Sequence, residues 1–206
     1  MPSHPFIWIT ALWVGTAFAG AQAQGGGDGL CTLSQVSAAH DAASLRVIME
    51  NCEDRTEVLA QAALKLNELP IPPVRKLSMA PVVPGAEFER VRLEADVFFR
   101  VLEAYPVPEA FTKLDELVQR MNTGTRVETI RVVGGQDLNE RQLPSFKLAA
   151  QRAEFVRRYF QAAGWPVDAP VVVMARAPQQ PDTPLGRARD RSAAVSVDVL
   201  RQRVPR

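Results

Sequence analysis

One arginine lies where a helix should present an apolar surface. Arg152 falls inside a helical period that runs from Leu143 to Ala163, and the side chains three and four positions away from it are apolar: Leu148, Ala149, Phe155 and Val156. A guanidinium in such a place must reach the edge of the core or meet an anion that offsets its desolvation. The nearest suitable anion upstream is Asp137. We therefore predict that Asp137 and Arg152 meet at the rim of a core, where such a pair can grip a small zwitterion.

Catalytic and metal-binding patterns are missing from the sequence. It contains no G-x-S-x-G, no H-E-x-x-H and no cysteine paired with a histidine, and its clustered carboxylates, Glu50, Glu53 and Asp54, fit a solvated helix junction. Two cysteines without a second nearby pair make a poor zinc site. We expect no enzymatic activity, no cofactor and no metal.

The first 23 residues have the composition of a secretory signal peptide. They carry no charged side chain, are apolar from Phe6 to Ala21, and end in Ala21-Gln22-Ala23, an A-x-A cleavage pattern. The alternative is a retained membrane anchor, since the apolar run is nearly long enough to span a bilayer. We expect an exported, periplasmic protein, associated with a membrane only indirectly or through an uncleaved leader.

Export to an oxidising compartment would allow the two cysteines to form a disulfide. Cys31 and Cys52 lie in one short module, and two cysteines of a small domain in an oxidising compartment usually pair. We predict a Cys31–Cys52 disulfide; two buried free thiols are the alternative. The net charge of the chain is +1, which argues against a nucleic-acid-binding surface.

The chain divides by composition into five segments. After the leader (1–23), residues 24–69 are predicted to form a module of two short helices, the second capped by Asp54. Residues 70–86 hold five prolines and are predicted to be an extended linker that can hold two modules apart. Residues 87–200 form the main domain, and 201–206 a tail.

Alternating periods in the main domain predict its fold class. Strand-like alternation from Phe88 to Val101 is followed by a helix opened by Pro108, a strand over 126–133, the Arg152 helix, and a strand over 171–174. A short helix or turn over 184–191 and a last strand complete the order β-α-β-α-β-β. We expect a two-layer α+β domain with two helices on one face of a mixed sheet.

Several motifs in this order resemble the OmpA C-terminal-like domain family, which binds peptidoglycan in the bacterial periplasm. The family's G-x-T-D turn is similar to Gly134 to Asp137, its L-S-x-x-R-A to Leu148 to Ala153, and its G-R-A-x-N-R-R to Gly186 to Ser192. The spacing from Asp137 to Arg152 matches as well. The resemblance covers roughly residues 87–200.

The resemblance implies a site. Asp137 would receive the ammonium, and Arg152 the carboxylate, of the diaminopimelate residue in a peptidoglycan stem peptide; Arg191 would be a supporting cation, and Ser145 stands where the family has a helix-entry Asn. The chain departs from the family pattern at the residues that flank Asp137 and at the terminal motif: Gly135, Gln136, Glu140, Arg141, Asp190 and Ser192. Each lost hydrogen bond would weaken binding by about 1 kcal/mol.

Two functional hypotheses follow. In the first, the domain tethers an envelope protein or assembly to the cell wall, while residues 24–69 contact another envelope protein. In the second, the domain has lost its ligand and serves as a structural component of an envelope-spanning complex, with Asp137 and Arg152 as an internal ion pair. An uncleaved leader would make the first an inner-membrane-anchored, stator-like protein.

Overall fold

The computed structural model describes residues 31–52, 54–81, 83–123, 126–142, 147–165 and 171–203. The predicted leader, the tail beyond residue 203 and Ser145 lie outside these ranges. Within them, no helix is long and apolar enough to cross a membrane.

Across residues 31–52 and 54–69, the N-terminal module contains three helices where two were predicted: α1 (Leu33–Ala38), α2 (Ala42–Asn51) and α3 (Thr56–Glu68). The chain breaks between α1 and α2 because Asp41 caps the second of them, its carboxylate accepting a hydrogen bond from the Ser44 backbone N–H at 2.8 Å. A new helix therefore begins at Ala42, because the Asp41 side chain satisfies a backbone N–H group that has no partner within the first turn of α2.

The predicted disulfide is present. It joins Cys31, just before α1, to Cys52, the residue that ends α2. The prediction that Asp54 caps the following helix is wrong: the capping position is Arg55, whose side chain makes no capping hydrogen bond. Apolar side chains from all three helices form a small core beneath the disulfide: Val36, Leu45, Val58, Ala62 and Leu66.

The main domain follows the predicted order. Its elements are β1 (Phe88–Phe98), α4 (Pro108–Met121), β2 (Arg126–Gly135), a 3-10 helix (Asn139–Gln142), α5 (Lys147–Ala162), β3 (Val171–Arg176), α6 (Pro184–Asp190) and β4 (Ser192–Gln202). Pro108 occupies the first turn of α4, where its missing N–H costs nothing. Gly164, with φ 102°, adopts the left-handed conformation just after α5.

The four strands form one mixed sheet in the order β1-β4-β2-β3. β4 is antiparallel to both its neighbours, pairing Val197 with Leu93 of β1 and Val195 with Val132 of β2. β3 is parallel to β2, with Val173 opposite Val132. Helix α4 packs on β1, and α5 on β2 and β3. The predicted two-layer α+β fold with helices on one face is therefore confirmed.

Side-chain alternation separates the two faces of the sheet. Inward-facing residues of β1, β2 and β4 are buried against α4 and α5, among them Leu93, Ile130 and Val197. The opposite face carries ion pairs in the open: Arg92 contacts Asp198 at 2.9 Å. Among the described residues, the sheet therefore forms a hydrophobic core only on the face that α4 and α5 cover.

The proline-rich segment does not hold the two modules apart. It is extended, as predicted, but it lies along the main domain: the Leu77 N–H donates to the Ala163 carbonyl at 2.8 Å, and the Arg75 N–H to Asp115 Oδ1 at 3.0 Å. Apolar side chains of the segment also pack against the main core: Ile71, Val74, Leu77 and Met79. Because these apolar side chains are removed from water, it is more favourable for the segment to pack on the main domain than to extend freely through solvent.

Candidate functional site

Arg152 lies on the core-facing side of α5 that its apolar neighbours indicate, but it is completely buried and not at the rim of the core as predicted. Three backbone carbonyl oxygens accept hydrogen bonds from its guanidinium: those of Gly135, Glu103 and Arg100, at 2.8, 2.9 and 3.1 Å. The group also lies over the Phe99 ring, 5.3 Å from its centroid. These contacts tie α5 to the end of β2 and to the loop that follows β1.

The anion that compensates Arg152 is Glu140, and the prediction that Asp137 does so is wrong. Both terminal nitrogens of the guanidinium reach the Glu140 carboxylate, at 2.6 and 2.9 Å, in a bidentate pair. Together with the three carbonyls, this accounts for all five N–H donors of an arginine. Both side chains of the pair have zero exposure.

The Glu140 carboxylate accepts two further hydrogen bonds, both from backbone N–H groups. Leu102 donates to Oε1 at 2.8 Å, and Asp137 donates to Oε2 at 2.9 Å. Two guanidinium donors and two backbone donors therefore converge on one carboxylate position. We call these four donors, from Arg152, Leu102 and Asp137, the carboxylate cradle.

The Asp137 carboxylate is satisfied by partners other than Arg152. Its Oδ1 accepts from the Glu140 N–H at 3.0 Å, and its Oδ2 lies 2.5 Å from Arg191 Nη1. Its side chain is fully buried, whereas that of Arg191 is 16% exposed. Arg191 thus is a cation beside the site, as the resemblance implies, and it acts on Asp137.

The reciprocal bonds between Asp137 and Glu140 form a capping box at the start of the 3-10 helix. The Asp137 side chain accepts from the Glu140 backbone, while the Glu140 side chain accepts from the Asp137 backbone. This is why Glu140 points back toward Arg152. The D-x-x-E spacing from Asp137 to Glu140 is the signal in the sequence for this capping box.

Two adjacent glycines let the elements of the site approach each other. A Cβ on Gly134 would lie 1.9 Å from the carbonyl oxygen of Ala149 in α5. A Cβ on Gly135 would lie 2.3 Å from the Asp190 carbonyl oxygen. Because Gly134 has no side chain, α5 packs directly on β2, which brings Arg152 to the Gly135 carbonyl; the absence of a side chain at Gly135 lets the end of α6 approach β2.

The loop after β1 connects the site to the N-terminal module. Arg46 of α2 donates to the nearly buried Glu103 carboxylate at 2.7 and 3.0 Å, and to the Pro106 carbonyl at 3.0 Å. Glu103 also supplies the carbonyl that Arg152 Nε contacts. Arg46 and Glu103 were not identified from the sequence, since nothing in their spacing relates two residues 57 positions apart.

Aromatic side chains complete the contact between the modules. Tyr105 and Phe155 belong to the core of the three N-terminal helices, and their rings meet edge to face with centroids 5.3 Å apart. Burial raises the pKa of the Tyr105 hydroxyl above its usual value. Nearby, burial and a 2.6 Å hydrogen bond to Asp115 raise the pKa of Tyr159. Both rings are therefore held in their neutral form.

The remaining site predictions fall as follows. Ser145 lies outside the described residues. Asp190 is buried, and its two oxygens accept from the backbone N–H groups of Gln179 and Gln180 at 3.0 and 3.1 Å, so it fixes the loop before α6. Among the residues that the structure describes, no group of His, Cys, Asp or Glu side chains is placed to hold a metal ion.

Comparison with known proteins finds similarity at the level of structure. No protein-family model and no curated protein matches the sequence. Among solved structures, the OmpA-like domain of FopA1 from Francisella tularensis is 15% identical, with a TM-score of 0.41 over 65% of this chain and 96% of that one. The cell wall anchor of the T6SS from Pseudomonas aeruginosa is 20% identical, with a TM-score of 0.42 over 52% and 82%.

A third solved structure is the periplasmic domain of Helicobacter pylori MotB, 16% identical, with a TM-score of 0.43 over 59% of this chain and 87% of that one. The resemblance drawn from the sequence motifs thus recurs in these comparisons. At such identities and scores the likeness concerns the fold, and it assigns this chain no ligand. What the comparisons report is a similarity in structure between this chain and these OmpA-like and MotB domains.

Proposed function

We propose that this chain is an exported protein of the bacterial cell envelope that associates non-covalently with peptidoglycan through residues 87–200. In this proposal the diaminopimelate residue of the stem peptide is the bound group, and the role is tethering, with no catalytic step. Residues 1–23 act as a cleaved signal peptide that delivers the protein to the periplasm. Any association with a membrane is indirect or through an uncleaved leader.

The carboxylate cradle is the observation that supports this proposal. A bidentate guanidinium and two backbone N–H groups are donors suited to a carboxylate, and diaminopimelate carries carboxylates as well as ammonium groups. Asp137, whose N–H belongs to the cradle, carries the negative charge that an ammonium group requires, and an ammonium group would replace Arg191 as its partner. The motif resemblance assigns the stem peptide to these same two residues, Asp137 and Arg152.

The N-terminal module has its own part in the proposal. Its three helices leave Val47 and Leu64 about half exposed while they pack on Tyr105 and Phe155 of the main domain. We propose that this module, residues 24–69, contacts another envelope protein while the main domain contacts the wall. Because the two modules pack together, such a protein would be held close to the wall.

A second candidate is favoured by the complete satisfaction of the site. All five N–H groups of the Arg152 guanidinium donate to groups of the protein itself, and both Arg152 and Asp137 are fully buried. A domain that keeps the fold for protein contacts alone, inside an envelope-spanning complex, would have this closed site.

Sedimentation with insoluble diaminopimelate-type peptidoglycan separates the two candidates. The mature chain is used whole, because removing residues 24–69 would expose Tyr105 and Phe155. Wild type is compared with Arg191→Gln, which removes the cation from the buried Asp137 carboxylate but keeps an amide donor beside it, and its stability is checked first because breaking a buried pair from one side is costly. Arg92→Gln, an ion-pair partner on the outer face of the sheet, is the matched control.

We expect wild type and Arg92→Gln to sediment with the wall, and Arg191→Gln to sediment differently from both. Wild type that stays in the supernatant at micromolar concentration would contradict wall binding and leave the protein-contact role. Equal sedimentation of all three would place wall contact outside the site. Circular dichroism of each variant checks that the fold is intact.

A further inference from the structure

Glu140 occupies its position as a ligand would. It reaches the cradle from the 3-10 helix, its carboxylate has zero exposure, and each of its oxygens accepts one guanidinium and one backbone hydrogen bond. Those four donors come from three separate parts of the chain: α5, the loop after β1, and the turn after β2. The receptor for a carboxylate is therefore built by the fold, and the group that fills it is a single side chain.

We infer that Glu140 is an intramolecular occupant of a carboxylate-binding site, and that an external carboxylate binds Arg152 only when Glu140 has left. This inference rests on the proposed function only for the natural ligand; the receptor itself follows from the geometry. Glu140 is then an autoinhibitory contact, and displacing its side chain is the step that opens the site.

The tethered Glu140 carboxylate competes strongly against external carboxylates for the cradle. A tethered carboxylate acts at an effective concentration of millimolar or more, so external carboxylates at lower concentration do not displace it. When only a small fraction of molecules has the site open, the apparent affinity for a ligand falls by that fraction. With an open state populated at roughly 1 to 10%, removing Glu140 strengthens carboxylate binding about 10- to 100-fold.

Replacing the occupant by a small molecule tests the inference. Glu140→Ala removes the carboxylate and leaves the four donors, and sodium acetate or propionate is then added, with sodium chloride at equal ionic strength as the reference. Binding to the folded state raises the melting temperature with the logarithm of carboxylate concentration, by about 3 °C or more at ten times the dissociation constant. Wild type and Glu128→Ala, which loses a surface carboxylate paired with Arg90, should show no such rise.

A second variant keeps the test decisive if the uncompensated arginine prevents folding. Glu140→Ala combined with Arg152→Met removes both charges, and this double variant should fold and show no response to acetate. The inference is supported if Glu140→Ala is stabilised, or becomes folded, in acetate and not in chloride. It is overturned if Glu140→Ala is folded but indifferent to carboxylates, or if it stays unfolded in molar acetate while the double variant folds.

The wall assay on the same proteins separates this inference from the proposed function. Stronger sedimentation of Glu140→Ala than of wild type supports both. Acetate rescue without sedimentation of either protein supports the carboxylate site and removes peptidoglycan as its ligand. Equal sedimentation of the two proteins with the wall, together with acetate rescue, supports the carboxylate site and contradicts the proposed binding of the stem peptide there, because wall contact would then not pass through the cradle.

Discussion

Replacing Arg46 by alanine should separate the two modules energetically. The change removes the guanidinium that contacts Glu103 at 2.7 Å and leaves a carboxylate that is only 2% exposed without its ion-pair partner. Breaking a buried pair from one side costs about 3 to 5 kcal/mol. Because the Arg46 side chain lies at the border of the interface, 9% exposed, we expect the lower end, about 3 kcal/mol.

Removing both partners should cost much less. Arg46→Met combined with Glu103→Leu takes away both charges and keeps the apolar volume, so the free energy of unfolding should stay within about 1 kcal/mol of wild type. Arg100→Ala is the matched control: it removes an ion pair with Glu50 between the same two modules, but with both side chains about half exposed. An exposed pair of this kind is worth at most about 1 kcal/mol.

Trp165 makes the measurement direct. It lies in the main core, 8% exposed, and the chain without residues 1–23 contains no other tryptophan. Denaturant unfolding followed by its fluorescence reports the main domain, and far-ultraviolet circular dichroism reports all the helices. A loss under 1 kcal/mol for Arg46→Ala, equal to that of Arg100→Ala, would refute the reasoning. So would a double variant as unstable as the sum of its two single changes.

Two further outcomes follow from the packing. Gly134→Ala places a Cβ 1.9 Å from the Ala149 carbonyl oxygen and should lower the free energy of unfolding by about 3 kcal/mol in the same denaturation assay. The control is Gly85→Ala, which has open space but a φ of 78° and should lose about 1 kcal/mol. Equal losses for the two variants would contradict the close approach of α5. Burial and Asp115 raise the pKa of Tyr159 in the folded state, so the stability it contributes is fully present below about pH 10 and is lost as the pH rises further. Unfolding measured from pH 9 to 12 should therefore show a shallower decline for Tyr159→Phe than for wild type, by up to about 1.4 kcal/mol per pH unit, and identical slopes would disprove this origin.

Regular elements of the main domain could be predicted because their signals are local. Alternation in β1, the proline that begins α4 and the glycine after α5 each act within a few residues, and all three elements are present in the predicted order, with β1 ending at Phe98 and not at Val101. The disulfide was predictable for a similar reason, since export and a short module leave few other roles for two cysteines. The sequence predicted one helix before Cys52, but the structure has two, α1 and α2, because Asp41 caps the start of α2.

The site was predictable only in part. The burial of Arg152 followed from its neighbours on the helix, but its partner did not, because Asp137 and Glu140 are both acidic and lie three residues apart. Which of them meets the guanidinium is decided by the capping box, which turns Glu140 inward and leaves Asp137 to Arg191. The Arg46–Glu103 pair depends on how the two modules pack, a long-range contact with no local pattern.

Glu103 also gives the molecule a mechanical connection. Its side chain is held by Arg46 of the N-terminal module, and its carbonyl oxygen by Arg152 of the main core. A pulling force applied to α2 would load Glu103 together with the Arg100–Glu50 ion pair, and the Glu103 backbone would pass part of that load to Arg152. Part of such a load would reach the guanidinium of the cradle, so a force on the N-terminal module and the Glu140 carboxylate would act on the same group.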